Sequence, residues 1–311
     1  MKDKILLILQ SAEDYISGEE LSRQLGVSRT AVWKNINALR KQGYVINSVT
    51  NKGYLLEKSP DVLSAAVVMD GLDTVLVGTK VEVLETVDST NNEAKRRALT
   101  DPDCAVLYVT DCQTAGRGRR GHDFYSPKGS GLYFTLSLPL NGDAADVQLL
   151  TCAAAVAVCE AIEALTEREA QIKWVNDIFI DGKKVAGILA ELVQDDGNRP
   201  ARVIIGIGLN LTTAHFPAAF AATAGCIGDT DPNRLCAKIT DGMIAMYHDN
   251  NSVIEKYSKL NLCIDRMVLY SDPDGDHTAK AVAIAPDGSL IVEENGRKKF
   301  LRSGEISVIP I

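Results

Sequence analysis

Gln113-Thr114-Ala115-Gly116-Arg117-Gly118-Arg119-Arg120-Gly121 admits two readings, and the choice between them decides the fold. Formally, Gly116, Gly118 and Gly121 match the Gly-x-Gly-x-x-Gly fingerprint of a dinucleotide-binding unit. That fingerprint has to open a helix. Here it runs into His122-Asp123-Phe124-Tyr125-Ser126-Pro127-Lys128-Gly129, which is rich in turn formers and contains a proline. Three arginines would also crowd a backbone that must approach a pyrophosphate closely. The better reading is a loop that orders around an anion. Glycine lets the loop fold over a ligand, and arginine supplies planar, permanently charged donors for carboxylate and phosphate.

Working outward, residues 105–110 read as the strand before the loop and residues 81–87 as an earlier one. The earlier strand ends in Asp88-Ser89-Thr90-Asn91-Asn92-Glu93, a loop opening a helix expected to continue to residue 99. Hydroxyls and an amide at such a junction can hold a small polar ligand, and the helix N-terminus favours anions. Chemistry alone favours a plainer role, helix capping by Ser89 or Asn91. Downstream, residues 172–180, the Asp181-Gly182 turn and residues 184–193 read as a hairpin, with residues 202–209 placed to join it. Lys184 leaves the turn and enters the sheet in this reading; an exposed hairpin lysine is the equal alternative. Ala186, Gly187 and Ala190 are small, which leaves room for a ligand against the strand.

The arginine loop follows Asp88-Ser89-Thr90-Asn91. After it come Lys173-Trp174-Val175-Asn176-Asp177, then Gly182-Lys183-Lys184-Val185-Ala186-Gly187-Ile188-Leu189, then Gly206-Ile207-Gly208-Leu209-Asn210. In order and spacing these five motifs resemble the biotin protein ligases, and with the N-terminal segment the chain resembles their bifunctional ligase/repressor class over essentially its whole length. The resemblance implies that ATP and biotin form biotinyl-5′-AMP, whose biotinyl group passes to a lysine of a biotin carboxyl carrier protein. By position it implies biotin contacts from Ser89, Thr90, Asn91, Gln113, Arg117, Gly118, Arg119 and Lys184. It places Arg119, Arg120, Phe124, Asn176 and Asn210 toward ATP or the adenylate. It gives Arg117, Arg119, Lys184 and Asp177 catalytic roles, with Asp177 also near a Mg2+ ion. Three positions depart from the family pattern: Val175 for the usual proline, His122-Asp123 for a more basic pair, and Phe124 for a frequent tryptophan.

The first sixty residues have a different character. They carry nine cations (Lys2, Lys4, Arg23, Arg29, Lys34, Arg40, Lys41, Lys52, Lys58) and six anions (Asp3, Glu13, Asp14, Glu19, Glu20, Glu57). Their net charge is +3 in a chain whose net charge is −8, so the remainder carries −11. A basic segment on an acidic body suggests an anionic partner for that segment alone. Ser17-Gly18-Glu19-Glu20 has the capping-box form, and Gly26-Val27 separates a helix ending near Leu25 from one running from Arg29 to about residue 42. Val32, Ile36 and Leu39 face the core in this reading. Helix, glycine turn, helix is the helix-turn-helix arrangement, in which the start of the second helix enters the major groove. Residues 44–49 and 54–56 around Asn51-Lys52-Gly53 form an expected wing. The candidate DNA contacts are Ser28, Arg29, Thr30, Trp33, Lys34 and Lys52. Arg29 is suited to a bidentate bond with guanine. For Trp33 packing against the wing is favoured over a groove contact, since large aromatics are more often buried. A small helical bundle that binds protein is the alternative.

The expected architecture is therefore α+β and multidomain. A winged helix-turn-helix spans residues 1–60. An α/β catalytic domain with a mixed sheet spans 61–264, and an SH3-like β-barrel spans 265–311, with turns at Pro273-Asp274-Gly275, Pro286-Asp287-Gly288 and Asn295-Gly296. Seven cysteines with no Cys-x-x-Cys pair point to reduced thiols and the cytoplasm. Residues 147–165 are apolar but broken by Gln148, Thr151, Glu160 and Glu163, and read as a buried helix with no membrane role. The partners implied by the resemblance are the carrier protein, operator DNA and a second copy of the chain when the adenylate is bound, with residues 188–193 as the candidate pairing edge. Two rival functions remain open on the residues: a lipoate-type acyl ligase, and a biotin-sensing transcription factor without catalysis.

Overall fold

Ile5, Leu6 and Leu9 fall on one face of α1 (Lys2–Gln10) and are buried, which starts the core of the first of two units. The computed structural model describes residues 1–311 except 13, 42, 59–61, 74–78, 99–103, 141–146, 195–199, 249, 273–274, 303–307 and 311. One unit comprises Met1–Gly71 with Asp231–Arg234; the other comprises Leu72–Thr230 with Leu235–Ile311. The Ser59-Pro60-Asp61 boundary and Pro273-Asp274 lie outside the described residues.

In the first unit, α2 (Gly18–Leu25) begins at Ser17, whose hydroxyl accepts the Glu20 amide at 3.0 Å. The reciprocal half of the capping box does not form. The Glu20 carboxylate instead accepts Arg23 at 2.7 Å and Gln24 at 2.8 Å, because those donors lie one turn ahead on the same exposed face. Gly26 closes α2 in the left-handed conformation. Ser28 then caps α3 (Arg29–Lys41), accepting Ala31 N–H at 3.2 Å. Val32, Ile36 and Leu39 join the α1 residues in one core. The wing is β1 (Val45–Val49) paired antiparallel with β2 (Gly53–Lys58), and α4 (Ala65–Asp70) completes the unit.

The second unit holds a seven-stranded mixed sheet. In chain order its elements are β3 (Lys80–Val83), α5 (Thr90–Arg96), β4 (Val106–Thr110), β5 (Gly131–Pro139), α6 (Val147–Thr166), β6 (Gln171–Lys173), β7 (Asp177–Ile180), β8 (Lys183–Gln194) and β9 (Pro200–Asn210). The sheet order is β3-β4-β5-β9-β8-β7-β6, with β3 and β4 parallel and the other pairs antiparallel. Ala94 of α5 packs on Val106, Tyr108 and Ile204, so α5 and those side chains share one face. The helix α6 is long and apolar enough to cross a membrane, but 67% of its apolar window is buried in the protein, where it packs across β6, β7, β8 and β9. After α7 (Ala218–Ala221), α8 (Pro232–His248) and α9 (Asn250–Leu260) comes a second sheet. Its strands are β10 (Met267–Asp272), β11 (Gly275–Ile284), β12 (Leu290–Glu294), β13 (Arg297–Leu301) and β14 (Val308–Pro310), antiparallel in the order β13-β12-β11-β10-β14. That arrangement is consistent with an SH3-like barrel.

Two elements differ from the sequence reading. Residues 81–87 do not form one strand: β3 stops at Val83, and Val87 returns only as an isolated bridge to Gln113. Residues 172–180 do not form one strand either. The chain reverses at Trp174-Val175-Asn176, across a cis Trp174–Val175 peptide, so that β6 and β7 pair with each other. Alternating apolar residues on both sides of the reversal imitate one continuous strand, and periodicity cannot register a change of direction.

Candidate functional site

The site grows from the face of the seven-stranded sheet that carries α5. Ser89 stands at the N-cap of α5 but its side chain makes no capping bond, so capping is not what places a serine there. Its neighbours are held by a buried network. Gln113 Oε1 accepts Thr90 N–H at 2.9 Å, and Gln113 Nε2 donates to Ser126 Oγ at 3.0 Å. Thr135 Oγ1 lies 2.8 Å from Thr90 Oγ1 and 2.7 Å from Asn91 Oδ1. Asn91 is also no cap: its amide nitrogen donates to Leu189 O at 3.1 Å and Glu191 Oε2 at 2.9 Å, which ties α5 to β8. A Cβ on Gly206 would stand 2.0 Å from Asn91 Oδ1, and one on Gly208 would stand 2.6 Å from the Phe124 ring. Bare backbone at both positions lets the helix and the loop approach the sheet.

The arginine loop closes the other side. Only a short 3-10 turn, Arg119–Gly121, follows its glycines, so the absence of a fingerprint helix agrees with the sequence reading. Arg119 is half-buried and its Nη1 lies 3.4 Å from Asn176 Oδ1. Burial, and then the neighbouring Arg120, lower its pKa from the usual arginine value, while Asp177 opposes them. It remains a cation at neutral pH. Arg117 and Arg120 are exposed, and Arg117 Nη1 reaches Asn92 Oδ1 at 3.4 Å.

The third side is the reversal and the start of β8. Asn176 docks on β8 through two bonds, its Nδ2 to Ile188 O at 2.8 Å and its carbonyl accepting Ile188 N–H at 3.0 Å. Asp177 then opens β7 with Oδ1 2.6 Å from Lys184 Nζ, and that ammonium lies 5.9 Å from the Phe124 ring centre. Lys184 is therefore no free hairpin lysine. Of the three small residues in β8, Gly187 meets the cavity; Ala186 and Ala190 alternate to the opposite face and make no room for a ligand.

These groups line one cavity of about 330 Å³. Ser89, Thr90, Asn91 and Gln113 form one part of its wall; Arg117, Gly118, Arg119, Arg120 and Phe124 come from the loop; Asn176, Asp177 and Lys184 complete it. Asn210 does not line it: its side chain is buried and donates to Gly225 O at 3.2 Å. The sequence reading missed Thr135, Ser126 and Glu191. Thr135 and Glu191 carry a signal, as polar residues inside strands that are otherwise apolar; Ser126 carries none. Chemically, the cavity offers small neutral hydrogen-bonding groups at one end and fixed positive charge at the other. That suits a ligand with a compact polar head and an anionic tail, joined to a second anion.

On the first unit, Ser28, Arg29, Thr30, Trp33 and Lys34 are all exposed along one end of α3. Trp33 does not pack on the wing: it is 57% exposed. Val32, Ile36 and Leu39 already occupy the core face, and residue 33 lies about 100° round the helix from Val32. Lys52 is exposed at the wing tip, with its ammonium 5.8 Å from the Tyr15 ring centre.

Residues 83–210 match the model of the biotin/lipoate A/B protein ligase family, and residues 2–55 match an HTH domain model. The bifunctional ligase/repressor of Bacillus subtilis is 42% identical, the match covering 99% of this chain and 98% of that one. That of Bacillus spizizenii is also 42% identical over 68% of this chain, which spans 64% of the relative's length. The structure of the biotin protein ligase from Aquifex aeolicus in complex with biotin and ATP superposes with a TM-score of 0.65 at 26% identity, covering 74% of this chain and 99% of that one.

Proposed function

Since the chain belongs to the biotin protein ligase family, in its bifunctional ligase/repressor class, we propose that it joins biotin to a carrier-protein lysine through biotinyl-5′-AMP and represses transcription in response to biotin. The observation that carries the enzymatic reading is the convergence of Arg119, the Lys184–Asp177 pair and the Thr90–Gln113 network on a single cavity.

The first step brings two anions together. A biotin carboxylate oxygen attacks the α-phosphorus of ATP and pyrophosphate leaves, so negative charge concentrates where the bonds change. Fixed cations stabilise that charge without reorganising. Lys184 is held at the mouth of β8 by Asp177, and Arg119 is held by Asn176. Arg117 and Gly118 reach the ligand by loop ordering, and Ser89, Thr90, Asn91 and Gln113 orient the biotin head. Arg120, Phe124 and Asn176 take the adenylate side; Asn210, behind the wall, acts on it only through β9. The loop closes over the anhydride and keeps water out. In the second step the neutral carrier amine attacks the anhydride carbonyl and AMP leaves. Asp177 orients that amine.

Magnesium fits this site as an ion carried in by the substrate. Among the described residues no group of three or more His, Cys, Asp or Glu could hold a metal, and one Asp177 oxygen is already paired with Lys184. The other Asp177 oxygen would help hold a magnesium ion that arrives with the nucleotide phosphates. When bound, the ion would neutralise phosphate charge.

For the first unit, Arg29, Thr30 and Trp33 enter the major groove of operator DNA while Ser28, Lys34 and Lys52 meet phosphates. The second copy pairs through β8. Strand β7 covers β8 from Lys183 to Gly187 and Asn176 occupies the backbone of Ile188, while among the described residues no strand pairs with Leu189–Gln194 on that side. Seven free thiols suit the reducing cytoplasm. The residue ranges 1–60, 61–264 and 265–311 are the proposed DNA-binding, catalytic and C-terminal domains.

Biotin-dependent exchange of pyrophosphate into ATP, with lipoate as control, tests the enzymatic reading. Exchange with biotin alone is expected. Biotin binding without exchange would make this a sensor, and exchange with lipoate would change the substrate.

A further inference from the structure

The reversal that presents Asn176 and Asp177 is gripped from behind by residues far along the chain. Tyr257, fully buried on α9, donates its hydroxyl to Val175 O at 2.8 Å. The indole nitrogen of buried Trp174 donates to Gly288 O at 3.0 Å, in the turn between β11 and β12. Just after α9, Leu262 N–H reaches Ile172 O at 2.9 Å, and Asn261 bridges to the same residue. None of these partners lies within residues 83–210, the span of the ligase-family match.

We propose that Tyr257 and the Gly288 turn are positioning groups for the reaction: they fix the Trp174–Val175 backbone and so set where Asn176 and Asp177 stand. On the cavity side the reversal is held by the Asn176–Ile188 pair, and Asp177 meets Lys184 at 2.6 Å. On the far side Tyr257 and Gly288 are buried side-chain-to-backbone partners of residues 175 and 174, and the buried Cys263 thiol also bonds with the Trp174 backbone. Removing the Tyr257 hydroxyl leaves the buried Val175 carbonyl without a donor, and that peptide can relieve this by rotating; removing the Trp174 indole N–H instead orphans the Gly288 carbonyl and frees the side chain that anchors residue 174. Such a rotation moves the next two residues, which carry the Arg119 contact and the Lys184 contact. Errors of about 1 Å in the placement of reacting groups lower rates by as much as about 100-fold. Among the described residues, Thr90, Gln113, Ser126 and Thr135 share no bond with this reversal; the two halves of the cavity meet on β8, where Asn91 bonds to Leu189 O and Asn176 to Ile188. The grip from α9 and the C-terminal sheet falls on the adenylation half. The proposal rests on the ligase reading above.

The test uses the full chain and the variants Tyr257→Phe and Trp174→Phe, the first removing one hydroxyl and the second one N–H. Pyrophosphate exchange is measured against ATP and against biotin below each variant's Tm, and biotin affinity is measured separately by calorimetry. For Tyr257→Phe, kcat/KM for ATP should fall about tenfold or more while biotin Kd stays unchanged. The double variant should lose less than the product of the two single losses, because both bonds hold one reversal. A lowered Tm with unchanged kcat and KM would make Tyr257 a packing residue and overturn the proposal. A parallel loss of biotin affinity would overturn it as well, by showing general loosening. If Tyr257→Phe fails to fold, the same ATP-against-biotin split is read from Trp174→Phe. Wild-type exchange is measured first: its absence sinks the ligase reading, whereas its presence with an indifferent Tyr257→Phe sinks only this inference.

Discussion

At Gly206 one hydrogen in place of a methyl decides whether the network around Asn91 and Thr135 can exist. The position pairs with Leu189 on β8 and Thr135 on β5, and Asn91 Oδ1 occupies the space where a side chain would begin. Gly206→Ala has to push Asn91 off Thr135 and off Glu191. Overpacking of that kind costs about 1–3 kcal/mol. The expected outcome is a lower Tm together with weaker biotin binding in a titration; a normal biotin Kd would show that Asn91 has no part in holding the ligand. The residue scale is also where the sequence was most and least legible. Arg119 stands out because arginines set among glycines have few purely structural uses, whereas Lys184 read equally well as an exposed hairpin lysine and Asp177 was marked only by the family resemblance. Asn91 and Ser89 read more simply as caps, and the sequence could not say otherwise. Whether a hydroxyl caps its own helix or faces a cavity depends on groups about 45 to 100 residues away.

At the scale of elements, local chemistry was a good guide wherever an element is fixed by its own residues. The helix α3 begins at Ser28 because that hydroxyl satisfies an otherwise unpaired amide. Ser28→Ala should lower the stability of the N-terminal unit by about 1 kcal/mol and fray the turn carrying Arg29 and Thr30. DNA affinity should fall with it, as read by an electrophoretic or anisotropy titration at fixed salt; an unchanged affinity would place the DNA contacts elsewhere on the unit. The hairpin around Asp181-Gly182 was likewise legible from its turn residues. The reversal at residues 174–176 was not, because nothing in Trp-Val-Asn demands a turn. It is imposed by Tyr257, Gly288 and Ile188, none of them local. Trp33 shows the reverse error: a general tendency of aromatics to be buried was set against a helix whose core face was already taken by Val32, Ile36 and Leu39.

At the scale of the whole molecule, the part of β8 beyond the β7 pairing is the proposed edge for a second copy. Leu192 is 39% exposed there. Leu192→Lys places a charge on an edge that pairing would bury, and charged edge residues are a standard defence against strand pairing. Sedimentation with biotin and ATP should show a dimer for the wild-type chain and a monomer for the variant; equal dimerisation of both would move the interface off this edge. The sequence by itself determined the N-terminal helix-turn-helix, the strand-rich C-terminus, the buried character of α6 and the family of the catalytic centre. Each of these rests on spacing and residue chemistry within short windows. Only the tertiary structure decided the strand order, the direction change before Asp177, the exclusion of Asn210 from the cavity and the dependence of the reversal on α9 and the last sheet. Those are questions of which distant backbone groups find one another. Hydrogen bonds between residues separated by 82 and 114 positions leave no periodic trace in the chain.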